Sequence, residues 1–203
     1  MAVNAYGHQQ LTALLLPALA RGAKGRVVNV ASLASLPPGL DVTDLAWERR
    51  AYSATGAYYA SKRANVLFTN EFNRRYHAAT GVVAVASQPG FTATSLLPRA
   101  SGLGFWFPGR AKVVALFNRC LGMPVAVGAL SQLRAAVEPD VVPNSWFGPC
   151  LCLWGMPKLW HAGPPVWEMD WPIFSVLPAA TAAEAAALWD AANDATGAEW
   201  PAL

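Results

Sequence analysis

Apolar positions set two alternating rhythms along this chain. From Asn4 to Ala20 they predict a largely apolar helix, with Gly22 and Gly25 as stop signals. The β-branched run Arg26-Val27-Val28-Asn29-Val30-Ala31-Ser32 then predicts a buried strand. Pro37, Pro38 and Gly39 open a loop through Asp41, Asp44 and Trp47. Thr55 to Ala79 carries the strongest helical signal. Ala57, Ala60, Ala64, Leu67, Phe68, Glu71, Phe72 and Arg75 recur there at helical steps, Ser53 or Thr55 can cap it, and Gly81 ends it. Val82 to Ser87 is a second buried strand, stopped by Pro89-Gly90. Helix, buried strand, helix, buried strand is the rhythm of a parallel α/β sheet.

Beyond Ser101 the pattern loosens. A Gly- and aromatic-rich loop leads into an amphipathic helix ending near Gly122, and Val125 to Ala136 predicts another helix before Pro139. Ser145 to Gly148 predicts a third strand, and the Pro- and Trp-rich stretch Trp154 to Pro178 reads as irregular. Thr181 to Ala195 predicts an Ala-rich helix with Thr181 as cap, Glu184 at a capping-box position and Gly197 as stop. With no internal repeat or low-complexity linker, 1–203 reads as one domain, 101–178 its irregular region and 180–197 its C-terminal helix.

Composition changes this picture in one respect. Apolar types make up 54% of the 203 residues and charged types 13%, against roughly 25% charged in ordinary soluble domains. Such a surface is either unusually apolar or partly meant to be covered, by further chain, a partner subunit or a membrane surface. The net charge of +3 is scattered, with no basic run interleaved with aromatics, which excludes nucleic acid as a partner. Cys120, Cys150 and Cys152 suit a reducing compartment. The Cys150/Cys152 pair lacks the second Cys or His pair that zinc needs, so no metal is expected. No apolar stretch reaches the roughly 18 to 20 residues of a bilayer span. Leu11 to Ala20 resembles the core of a signal peptide, but no Lys or Arg precedes it and Pro17 interrupts it. The expected location is cytoplasmic, with a membrane surface or an organelle as alternatives.

Candidate chemistry starts with Tyr58 and Lys62, four residues apart and so on one helix face. Both fall in the first two turns, where the helix dipole and a neighbouring ammonium favour a phenolate. That combination eases proton transfer by a group that otherwise titrates near 10. Ser32 ends a buried parallel strand, where α/β sheets place ligand groups, and its hydroxyl can hold a substrate carbonyl for Tyr58. Each feature alone has a plain structural alternative: a surface Lys beside an aromatic, or a turn serine. Their order is more specific: strand-Ser, loop, helix-Tyr-x-x-x-Lys, strand, Pro-Gly.

In that order the chain resembles the short-chain dehydrogenase/reductase family. Asn4-Ala5-Tyr6-Gly7-His8 with Leu11-Thr12 is similar to the start of the family's fourth helix. Val27 to Ser32 is similar to the strand ending in its catalytic serine. Tyr58-Tyr59-Ala60-Ser61-Lys62 with Ala64 to Phe68 resembles its active-site helix, and Pro89-Gly90-Phe91-Thr92-Ala93-Thr94 its cofactor loop. The insertion Gly39 to Leu45, then Phe147-Gly148-Pro149, Gly155-Met156-Pro157-Lys158, Leu188-Trp189 and Thr196-Gly197, resemble the retinol-dehydrogenase and protochlorophyllide-reductase branch. The likeness is close from Val3 to about Leu97 and looser to Gly197.

The resemblance implies an NADP- or NAD-dependent oxidoreductase that interconverts an apolar alcohol and its carbonyl by hydride transfer. In it Tyr58 is the general acid/base, Lys62 lowers its pKa and contacts the nicotinamide ribose, and Ser32 orients the carbonyl. Asn4 supports a water linked to Lys62, or is only an exposed cap. Pro89 and Gly90 shape the loop whose Thr92 and Thr94 contact the nicotinamide end, and Gly104 to Gly122 cover the substrate side. His8 reads as packing or surface, having no acid partner nearby.

The family's glycine-rich pyrophosphate loop has no counterpart in these residues, and Gly102-Leu103-Gly104 is too short to replace it. The expected fold is therefore the C-terminal portion of a Rossmann-like doubly wound sheet: three parallel strands flanked by helices, with Arg26 to Ala31 a bare edge. Two other roles stay open. One is a cofactor-free fragment that pairs with a second copy or a full-length relative through helices 4–20 and 55–79. The other is a membrane-surface protein docking through the apolar Phe105 to Leu121 segment.

Overall fold

The computed structural model describes residues 1–35, 40–94, 110–151, 153–161 and 181–202. Pro37-Pro38-Gly39, Gly102 to Trp106, Cys152 and most of Trp154 to Pro178 lie outside the described residues. A π turn, Ala2–Tyr6, runs straight into helix α1, Gly7–Arg21, which continues through Pro17. Strand β1 is Arg26–Val30. Helix α2, Ala54–Phe72, is prolonged by a π turn, Asn73–His77, and a last turn, Ala78–Thr80. Gly81 closes it in the left-handed conformation, φ 69°, which a side chain would resist. Strand β2 is Val83–Ser87, α3 is Arg110–Leu121 and α4 is Val125–Val137. Strands β3, Trp146–Pro149, and β4, Pro157–His161, precede the final helix α5, Ala182–Thr196.

The sheet order is β1-β2-β3-β4. β1 pairs parallel with β2 from Arg26 opposite Val83 to Val30 opposite Ser87, and β2 pairs parallel with β3 at Ala86 and Ser87. The three parallel strands match the sequence expectation. β4 is an addition, antiparallel to β3, in the stretch read as irregular. Its Pro, Trp and His residues hide the alternation, and one glycine marks the turn: Gly155, at φ 103°, where an added Cβ would lie 2.5 Å from Cys150 Sγ.

Alternation along β1 assigns the two layers. Val27 faces Leu16, Phe68, Phe72 and Trp189, while Val28 faces Val85, Ala135 and Phe147. Thus α1, α2 and α5 cover one face of the sheet and α4 the other. Trp200 completes the first layer, stacking on Trp189 at 4.3 Å and Tyr76 at 5.0 Å between centroids. Each fully buried side chain of this layer, Leu16, Phe72 and Trp189 among them, contributes roughly 1.5–3 kcal/mol. Asn73 serves both polar groups of Ala84, accepting from its N–H at 2.8 Å and donating to its carbonyl at 2.8 Å. Arg26 donates to the carbonyls of Ala135 and Glu138 and so caps α4.

Glu71 is buried on α2 and pairs with Arg74 and Arg75 of the turn that prolongs it. Burial opposes its charge, but hydrogen bonds from Arg74 and Arg75 outweigh that and hold its carboxyl below the usual range. Arg75 also lies over the Trp189 ring at 5.0 Å. On α5, Thr181 and Glu184 form the expected capping box. From Ala60 to Asn73 every residue is buried except Lys62. Of the two helices considered for pairing, α1 is the one with exposed leucines, at positions 11, 14 and 15.

Candidate active site

The first turns of α2 are fixed from outside. Ser53 is the cap, its hydroxyl accepting from Gly56 N–H at 3.1 Å. Trp47, held at φ 61°, lies against that turn so closely that a Cβ on Gly56 would come within 2.7 Å of its ring. The Arg50 guanidinium sits 4.0 Å above the same ring and pairs with the buried Asp44. This loop braces the turn immediately before Tyr58. Its role was not legible in the sequence, because only the missing side chain of Gly56 admits the indole.

Tyr58 is half-buried, and the Lys62 ammonium lies 5.8 Å from its ring centroid. Lys62 Nζ donates to the Val30 carbonyl at 2.9 Å, and Asn65 Nδ2 donates to the same oxygen at 3.3 Å. Burial lowers the Lys62 pKa from its ordinary value. Ser32 follows β1 two residues later and is half-buried. Its hydroxyl accepts from Ala34 N–H at 3.2 Å, and its carbonyl accepts from Ser35 Oγ at 2.5 Å. The turn carrying it, Leu33–Ser35, packs on α2. Ser32, Tyr58 and Lys62 thus gather at the C-terminal end of the parallel strands.

Asn4 meets α2 at Ser61. Its Nδ2 donates to Ser61 Oγ at 3.2 Å, and Ser61 Oγ donates to the Tyr58 carbonyl at 2.8 Å. It does so from a π turn, a geometry frequent at functional sites. One helical turn on, His8 feels the site too. Burial lowers its pKa first, and the positive charge of Lys62 lowers it further.

The Pro89 to Thr94 loop leaves β2 beside β1, where Ala31 N–H donates to the Ser87 carbonyl at 2.7 Å. Gly90 has φ 70°, and an added Cβ there would lie 2.5 Å from the Pro149 ring and 2.6 Å from the Leu153 carbonyl. Its N–H donates to the side chain of the buried Gln88 at 2.9 Å. Thr92 donates to the Pro89 carbonyl at 3.0 Å and packs against Gly128 of α4. Thr94 is exposed and its carbonyl accepts from Asn118. The loop is pinned by the β3–β4 turn and α4. Among the described residues, no group of three His, Cys, Asp or Glu could hold a metal ion.

A parallel sheet with a serine after one strand, Tyr-x-x-x-Lys on the next helix and a Pro-Gly loop after the next strand defines a class. This chain belongs to the short-chain dehydrogenase/reductase family of oxidoreductases, whose short chain dehydrogenase profile matches residues 1–101. Within it the chain is retinol-dehydrogenase-like. It is 44% identical to human retinol dehydrogenase 13 over 94 residues, covering 46% of this chain and 28% of that protein. It is 36% identical to human retinol dehydrogenase 12 over 160 residues, covering 78% of this chain and 48% of that protein. A crystal structure of an uncharacterized protein from Mycobacterium paratuberculosis matches with a TM-score of 0.64 at 30% identity. That match covers 98% of this chain and 59% of that one. The chain spans less than half the length of these curated relatives. No described helix is long and apolar enough to cross a membrane.

Proposed function

We propose that this chain carries the catalytic half of an oxidoreductase that interconverts an apolar alcohol and its aldehyde or ketone. One observation carries the reading: Lys62 is the only residue between Ala60 and Asn73 that is not buried, and it opens beside Tyr58 onto the strand end that bears Ser32. A half-buried ammonium within a run that is otherwise buried is costly to keep unless it is used.

The donor set fits the nicotinamide-ribose end of NADP or NAD. Lys62 and Tyr58 offer donors to ribose hydroxyls, and Ser87 Oγ, buried at the same end of β2, has no hydrogen-bond partner among the described residues. Pro89, Gly90, Thr92 and Thr94 would border the ring. Bound there, the dinucleotide supplies or accepts a hydride at carbon. Ser32 donates its hydroxyl proton in a hydrogen bond to the substrate oxygen and fixes its direction. Tyr58 gives that oxygen a proton in reduction and takes one in oxidation. The Lys62 ammonium stabilises the phenolate left behind, and Asn4 steadies the Tyr58 backbone through Ser61.

The test is titration of the 203-residue chain with NADPH and with NADH, followed by fluorescence, then turnover with aldehydes and ketones. Lys62→Met is expected to lose binding, while Tyr58→Phe keeps binding and loses turnover. Turnover retained in Tyr58→Phe would remove the catalytic assignment.

A further inference from the structure

Apolar side chains reach solvent on α1, on α4, on α3 and on the β3–β4 turn, and the last two form one surface. Leu116 and Phe117 are 62% and 53% exposed on α3; Leu151 and Met156 are 71% and 63% exposed on the turn. Trp154 joins them. Its indole N–H donates to the Leu121 carbonyl at 2.6 Å. Phe91 packs between the rings of Trp154 and Phe117, 6.0 and 5.6 Å away. A contiguous apolar patch of this kind marks an interaction surface.

Its charge identifies the partner. Lys112 and Arg119 are exposed on α3, and Lys158 on β4. No Asp or Glu occurs between Glu71 and Glu138, or between Asp140 and Glu168. A second copy docking through the same face would bring cation against cation. The exposed leucines of α1 have no such basic rim, since Arg21 is that helix's only Lys or Arg. An apolar layer beneath anionic headgroups matches both halves of the α3 surface.

We propose that α3 and the β3–β4 turn dock on an anionic lipid surface. Phe117, Leu121 and Trp154 enter the boundary between headgroups and acyl chains, and Lys112 and Arg119 meet the phosphates. Through Phe91 this surface adjoins the Pro89 to Thr94 loop, so an apolar substrate leaving the lipid meets the site directly. That last step rests on the oxidoreductase reading. The docking does not, and it is measured without turnover.

The experiment is co-sedimentation of the purified chain with phosphatidylcholine vesicles, with and without phosphatidylglycerol. Binding is expected only with phosphatidylglycerol and is expected to fall as salt rises. Lys112→Gln with Arg119→Gln weakens it on the order of thirtyfold, two charges at about 1 kcal/mol each. Phe117→Ser with Leu121→Ser abolishes it, while Leu14→Ser on α1 leaves it unchanged. These positions are exposed, and circular dichroism checks that each variant folds. No binding to anionic vesicles, or equal binding by Phe117→Ser with Leu121→Ser, overturns the proposal. So does loss of self-association in that variant, read by sedimentation velocity, when the parent binds no vesicles; the occupant is then a second copy.

Discussion

At His8 two influences act in one direction. Burial and the Lys62 charge both disfavour the imidazolium, so the folded chain holds its pKa below the ordinary 6.5. The unfolded chain then binds more protons between the folded value and 6.5, and stability falls as pH drops through that window. His8→Gln is expected to flatten this part of the stability–pH curve, measured by urea denaturation at a series of pH values. A curve that keeps its slope would detach His8 from Lys62. Single residues were unevenly legible. Tyr58, Lys62 and Ser32 stood out because their spacing and order carry chemistry. Asn65, Gln88 and Trp47 did not, because their roles depend on which carbonyl, amide or glycine the fold sets opposite them.

At the scale of elements, α4 and the loop after β2 are fitted to one another at Gly128. A Cβ there would lie 2.2 Å from Thr92 Oγ1 and 3.0 Å from Thr92 Cβ. Gly128→Ala gains helix propensity but overpacks this contact, with an expected net destabilisation of about 1–3 kcal/mol. Most of it is expected to return in the Thr92→Ala background, since the two changes couple through one contact. Chemical denaturation of the four proteins measures the cycle. Helices and parallel strands were readable because β-branched runs and caps state them locally. β4 was not, because an antiparallel return strand takes its register from β3 and leaves little period of its own.

For the whole molecule, the edge matters most. Among the described residues β1 pairs only with β2, and Val30 is 38% exposed. A parallel strand with an unpaired apolar edge is a template for further pairing. The chain is expected to associate as its concentration rises, and Val30→Lys to suppress this, as read by sedimentation velocity. Unchanged association would shift attention to the leucines of α1. The low charge fraction foretold exposed apolar surface without saying where. Its division among β1, α1, α3, α4 and the β3–β4 turn depends on how the elements are shared between the two faces of the sheet, which no local pattern encodes.

The Val30 carbonyl accepts two donors at once, Lys62 and Asn65. That makes Lys62 a replaceable tenant. When a ligand recruits the ammonium, the carbonyl keeps Asn65, and no buried acceptor is stranded. Ligand capture is then an exchange of one hydrogen bond for another, without a desolvation penalty at the strand end. Asn65→Ala removes the second donor, so departure of Lys62 would strand the oxygen. The expected result is weaker dinucleotide binding from a residue that never touches the ligand, seen in the same fluorescence titration, and little change in the order of the site at rest.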